Sequence, residues 1–169
     1  YIMGPELSNF EKEFAEYCQS DYALGVATGT DALYLTLKAM NIKDGDEVIT
    51  APNSFIASAS SIALAGAKPA FVDIRDDGNM DPDKLESAIN PRTKAIMPVH
   101  LTGRPAKMPE IIEIAKKHNL YVLEDAAQAV GAKLNGKRVG SWGDAACFSL
   151  HPLKNLKAIG DGGMITTKH

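Results

Sequence analysis

The chain has 169 residues, enough for one domain with its own core, and 45% are hydrophobic against 23% charged. That is an ordinary globular composition, and a net charge of -3 leaves no basic footprint for nucleic acid. No apolar run approaches the roughly 18 residues that a membrane span needs, and Tyr1 to Pro5 do not read as a secretory leader. The first predicted element is a helix over 5–18, with Leu7, Phe10, Phe14 and Tyr17 on one apolar face and Pro5 suited to its first turn. A short strand over 22–27 follows. Gly29 and Thr30 then open a helix running to about Met40, with Leu33, Leu37 and Met40 on one side.

A polar loop over 41–46 precedes a strand over 47–50. Small apolar residues over 54–65 read as a buried helix, stopped by Gly66. Next come a strand over 69–73, a turn over 76–80, a short helix over 83–89 and a strand over 94–100. A helix over 109–118 with Ile111, Ile112 and Ala115 inward leads to a strand over 121–125. This alternation predicts an α/β domain with a mostly parallel sheet flanked by helices. After Gly131 the rhythm changes. Asn135-Gly136 marks a hairpin over 133–139, and strands over 145–149 and 163–167 follow with no helix between them.

Cys18 and Cys147 have no CxxC spacing and no neighbouring His, so they read as reduced, partly buried thiols of a cytoplasmic protein, with no metal site. Both ends read as cut. The chain opens without Met directly before a helix and stops just after a strand, so residues 1–169 are expected to be part of a longer protein.

Ligands of open α/β sheets sit beyond the carboxyl ends of the strands. Thr28, Gly29 and Thr30 lie there, as do Asn53, Ser54 and Phe55, His100 and Thr102, Glu124, Asp125 and Gln128, and Ser149, His151 and Lys154. A helix opening at Gly29-Thr30 suits an anion, although an ordinary threonine cap explains it as well. Asp125 could hold a protonated ring nitrogen or simply cap the next segment. Gln128, three residues on, would share its side if one helical turn followed. Phe55 could cover a ring face or fill the core. Lys154, between apolar residues and a glycine-rich turn, could be a desolvated nucleophile or a solvated loop lysine. Together they fit pyridoxal 5'-phosphate chemistry, which needs an anion site, a carboxylate for the ring nitrogen and a lysine. Neither GxGxxG nor GxxxxGK[ST] is present, so dinucleotide and P-loop readings lose their support.

The motifs Ala27-Thr-Gly-Thr-Asp-Ala-Leu33, Gly45-Asp-Glu-Val-Ile-Thr50, Pro98-Val-His-Leu101 and Glu124-Asp-Ala-Ala-Gln-Ala129 run in order along the chain. Phe148-Ser-Leu-His-Pro-Leu-Lys-Asn155 and Gly160-Asp-Gly-Gly163 complete the set. With them the sequence resembles the DegT/DnrJ/EryC1/StrS family of PLP-dependent nucleotide-sugar aminotransferases, of fold-type I. The resemblance implies that Lys154 forms the Schiff base and shuttles protons. It implies that Asp125 partners the pyridinium nitrogen, Gln128 lies near the phenolic oxygen and Phe55 stacks on the ring. Gly29, Thr30 and Ser149 would bind the phosphate; His100 and His151 receive no role. It further implies an amino-acid donor (glutamate or glutamine), a nucleotide-linked keto-sugar acceptor in polysaccharide or amino-sugar biosynthesis, and a homodimer with shared active sites. Family members are about twice as long, so residues 1–169 would be part of the large PLP-binding domain without the small C-terminal domain, inactive alone. The alternatives are a sugar dehydratase on the same scaffold, in which histidine replaces the lysine, and a catalytically silent regulatory protein. Lys154 favours transamination over the first, and the complete site set argues against the second.

Overall fold

A computed structural model describes residues 3–169; of the leader reading, Tyr1 and Ile2 lie outside the described residues. Helix α1 (Pro5–Cys18) has proline in its first turn and ends where Gln19 turns left-handed. Phe14, Ala15 and Cys18 form its buried side. Tyr17, expected on that apolar face, is 44% exposed because its ring carries the Arg138 guanidinium, 3.9 Å from the ring centre.

Strand β1 (Tyr22–Val26) leads into α2 (Gly29–Ala39), and β2 (Glu47–Thr50) into α3 (Ile56–Leu64). Then follow β3 (Lys68–Phe71), α4 (Pro82–Ala88), β4 (Thr93–Met97), α5 (Met108–His118) and β5 (Tyr121–Asp125). The short hairpin β6 (Lys133–Leu134) and β7 (Lys137–Arg138) turns at Asn135-Gly136, both at positive φ. Strands β8 (Ala145–Ser149) and β9 (Gly163–Thr167) close the series.

Seven strands form one sheet in the order β1-β9-β8-β5-β4-β2-β3. Pairing is parallel from β8 through β5, β4 and β2 to β3, while β9 runs antiparallel to both β8 and β1. The sheet is therefore mostly parallel, as expected. The alternation of side chains along each strand sorts the core into two layers. Val48, Ala95, Met97, Leu123 and Cys147 pack on one face against Leu33 and Leu37 of α2 and Ile62 of α3. Ile49, Ile96 and Val122 pack on the other against Leu85 of α4 and Met108 and Ile111 of α5. Phe14 of α1 meets Phe148 edge-on at 5.0 Å on that second face.

Strands β3 and β4 end at Phe71 and Met97, short of the expected 73 and 100, and one helix departs in its burial. Helix α3 buries only Ser58, Ser61 and Ile62, while Ile56 and Leu64 are exposed. Its run of small apolar residues carries no period that would say which side faces out. Both cysteines are free and buried; burial pushes both thiols up, Cys18 to about 12, so neither is a ready thiolate. Among the described residues, no helix is long and apolar enough to cross a membrane, and no His, Cys, Asp and Glu cluster could hold a metal ion.

Candidate active site

The carboxyl ends of β1, β2, β5 and β8 open on one cavity of about 350 Å³. Gly29, Thr30, Phe55, Asp125, Gln128, Ser149 and Lys154 all line it, together with Thr28, Ser58, His151 and Asp161. The seven residues that the resemblance assigns to the cofactor are thus brought to one place, whereas Asn53, Ser54, His100, Thr102 and Glu124 do not line the cavity.

At one end lies the start of α2. Thr28 caps the helix; its Oγ1 accepts from the Asp31 N–H at 2.9 Å. The N–H groups of Gly29 and Thr30 have no acceptor within the helix and face outward with its positive end. Gly29 is required by contact, because a Cβ there would sit 2.7 Å from the Ser149 Cβ. Gly163 is required likewise, since its Cβ would collide with the Thr28 carbonyl. These two absences let the helix start approach the Ser149 side chain and the start of β9 closely, and free N–H groups at a helix start suit an anion.

At the centre is Asp125, on the face shared with α3. The Ser58 hydroxyl donates to its Oδ2 at 2.6 Å and the Ala127 N–H to its Oδ1 at 3.2 Å. Burial pushes this carboxyl above the ordinary aspartate range; Ser58, Ala127 and more distant His100 and Lys154 only partly offset it. A buried carboxyl that lines a cavity is relieved of its desolvation either by holding a proton or by pairing with a cationic group placed in that cavity.

Behind it, on the opposite face, is Glu124. His100 donates from Nε2 to Oε2 at 3.0 Å, as does the Gly140 N–H at 3.1 Å. Oε1 accepts from the N–H groups of Trp142 (2.8 Å) and Gly143 (3.0 Å). The Ala106 N–H donates to His100 Nδ1 at 3.0 Å, so that nitrogen bears no proton and Nε2 carries the hydrogen. Burial opposes ionisation of Glu124, yet His100 and the Gly143 and Gly140 N–H groups outweigh it and hold the carboxyl low. His100 therefore acts as a fixed donor behind the sheet, away from the cavity.

Lys154 sits half-buried on the β8–β9 connection. Its N–H donates to the His151 carbonyl at 2.8 Å, and the Asn155 side chain ties the loop to the Val130 carbonyl at 2.8 Å. His151 accepts the Leu153 N–H on Nδ1 at 3.1 Å and turns Nε2 toward Asp161, 3.9 Å away. Phe55 is no core residue; it is 68% exposed at the cavity mouth, with Leu153 at 88% nearby. Gln128 reaches the cavity from a tight turn rather than from the expected helical turn, the Ala129 N–H closing on the Ala126 carbonyl at 3.0 Å.

Ser58 was not singled out from the sequence. The only signal was a hydroxyl in an apolar helix, and its partner lies 67 positions away.

The model of the DegT/DnrJ/EryC1/StrS aminotransferase family matches residues 1–169. The chain belongs to that family. Among its relatives is a dTDP-3-amino-3,6-dideoxy-alpha-D-galactopyranose transaminase of Aneurinibacillus thermoaerophilus, 56% identical over 99% of this chain and 46% of the relative. An aminotransferase from Psychrobacter cryohalolentis superposes with a TM-score of 0.97 at 45% identity, over 100% of this chain and 43% of that one. A Bacillus subtilis protein solved with bound cofactor PMP superposes at 0.92 with 40% identity, over 98% of this chain and 38% of that one. The DegT/DnrJ/EryC1/StrS chain described here therefore spans about half the length of the curated relatives it matches, and it has the architecture of a PLP-dependent aminotransferase.

Proposed function

We propose that the protein carrying this chain is a PLP-dependent aminotransferase that moves an amino group from an amino acid, glutamate or glutamine, to a nucleotide-linked keto-sugar. The observation that carries the reading is the buried Asp125 carboxyl, raised by burial and lining a cavity that a helix start and a lysine also line.

The residues present fit pyridoxal 5'-phosphate. The N–H groups of Gly29 and Thr30 and the Ser149 hydroxyl would hold its phosphate. Asp125 would hold its protonated ring nitrogen, and that cation would supply the charge the buried carboxylate otherwise lacks. Phe55 would cover a ring face and Gln128 would reach the ring's oxygen. When bound, the cofactor supplies a conjugated ring that takes up the electron pair left when a proton leaves the amino carbon. Lys154 would hold the cofactor covalently through Nζ. Released from it, the same amine would accept a proton from the donor's α-carbon at Nζ and give one up on the other side. Ser58, donating to Asp125, keeps that carboxylate aimed at the cavity.

Residues 1–169 would form part of the large cofactor-binding domain of a longer cytoplasmic enzyme. The apolar rim at Phe55, Ile56 and Leu153 would be covered by a second subunit, giving a homodimer with shared sites. Alone, the 169-residue chain is expected to be inactive. The relatives named for transamination of nucleotide sugars support the substrate class.

The test uses the full-length protein loaded with pyridoxal 5'-phosphate, reduced with borohydride and digested. The expected result is a cofactor-modified peptide containing Lys154, absent from Lys154→Ala. A reduced protein with no modification at Lys154 overturns the proposal.

A further inference from the structure

The turn that precedes Arg104 is held in a costly conformation by a residue outside the cavity. Thr102 lies at φ 53 and ψ 24, left-handed values that a β-branched residue rarely adopts, and Gly103 follows at φ 84. Asn79, 1% exposed and borne on a separate turn, clamps both ends of this segment. Its Oδ1 accepts the Leu101 N–H at 3.0 Å, and its Nδ2 donates to the carbonyls of Arg104 at 3.1 Å and Pro105 at 3.4 Å.

The product of the clamp is one aimed donor. The Thr102 N–H donates to Gln128 Oε1 at 3.0 Å. Gly103 backs the same residue closely, since a Cβ on it would lie 3.2 Å from the Gln128 carbonyl. A backbone N–H can only donate, so the side-chain atom facing it is the oxygen. Gln128 lines the cavity, and with Oε1 committed to Thr102, its Nε2 is left for whatever lies inside.

We infer that Asn79 is a positioning residue for the cofactor. Acting through the left-handed Leu101–Gly103 turn, it fixes the Gln128 carboxamide so that the cavity is offered N–H donors and not a carbonyl. Such an arrangement suits an acceptor oxygen on the bound ring. The inference rests on the PLP reading above and adds to it a residue that never touches the cofactor.

The test uses full-length protein with Asn79→Asp, which keeps the acceptor but loses both donations, Gln128→Ala, and the double variant. Asn79→Ala is the second variant if Asn79→Asp does not fold. Amide exchange is measured first, without cofactor. Loss of the clamp should speed exchange at the Thr102 N–H by about three- to tenfold, the scale of one hydrogen bond. Affinity for pyridoxal 5'-phosphate, read from its absorbance band, should fall by a similar factor of about three to ten in Asn79→Asp. In the Gln128→Ala background the same change should cost nothing further. Unchanged exchange at Thr102 overturns the inference whether or not the cofactor binds. Equal losses of affinity in both backgrounds overturn it too, since they mean that Asn79 does not act through Gln128. Failure of the unsubstituted protein to bind the cofactor would instead strike the PLP reading, and the exchange result would still decide whether the clamp exists.

Discussion

Glu124 and Asp125 are neighbours in the chain, both buried, and they face opposite sides of the sheet with opposite consequences. Behind the sheet, Glu124 has four donors for its two oxygens, and its carboxyl is held low. In front, Asp125 has a hydroxyl and one longer backbone contact, and burial pushes its carboxyl up. A saturated buried charge is finished and works as structure. One with fewer donors that lines a cavity is more open to a proton or to an opposite charge placed beside it.

The largest expected break in this comparison is Glu124→Ala. It strands three backbone N–H groups and the His100 Nε2–H in a dry interior, and should cost about 3–5 kcal/mol, measured by denaturant unfolding. A loss below 1 kcal/mol would mean that water fills the place and that the region behind the sheet is less closed than the geometry says. Gly29→Ala comes next. The added methyl meets the Ser149 Cβ at 2.7 Å and its backbone Cα at 3.0 Å, so the helix start must move. The cost should be about 1–3 kcal/mol, with weaker phosphate-dependent cofactor binding; unchanged affinity for pyridoxal 5'-phosphate would remove Gly29 from the phosphate site.

The subtlest is Asp125→Asn without cofactor. Because the folded carboxyl is raised above its unfolded value, the native chain binds more protons than the unfolded one. Its stability therefore falls as pH rises through the folded value. Removing the group should raise the unfolding midpoint at neutral pH, and the gain should shrink as pH drops toward the ordinary aspartate value of about 3.9. The same variant should bind cofactor poorly in the full-length protein. A lower midpoint at neutral pH would show that Asp125 is as well served as Glu124.

The sequence made much of this architecture readable, because strand and helix periods are local. Elements such as α1, α5 and β5 lie within a residue or so of expectation. What escaped depends on long-range geometry. The apolar run of α3 could not tell that Phe55 and Ile56 would face out, because apolar character alone has no direction. Asp125 was visible as a carboxylate ending a strand, but Ser58 was not, because a hydrogen bond across the fold leaves no local mark. Gln128 lines the cavity from a tight turn, where the sequence pointed to a helical one.

The placing of β9 has a kinetic side. Within the sheet, β1 is bonded to β9, and the Ser20 hydroxyl meets the Thr167 carbonyl across 147 positions of sequence. On a nascent chain emerging from the ribosome, β2 to β5 can pair while β1 still has no neighbour to join. The Gly29 turn hangs from β1, and Gly163 packs against Thr28 at the start of β9. The junction of Gly29, Thr28 and Gly163 is therefore expected to be among the last parts of this sheet to assemble, only after nearly all of these residues have been made.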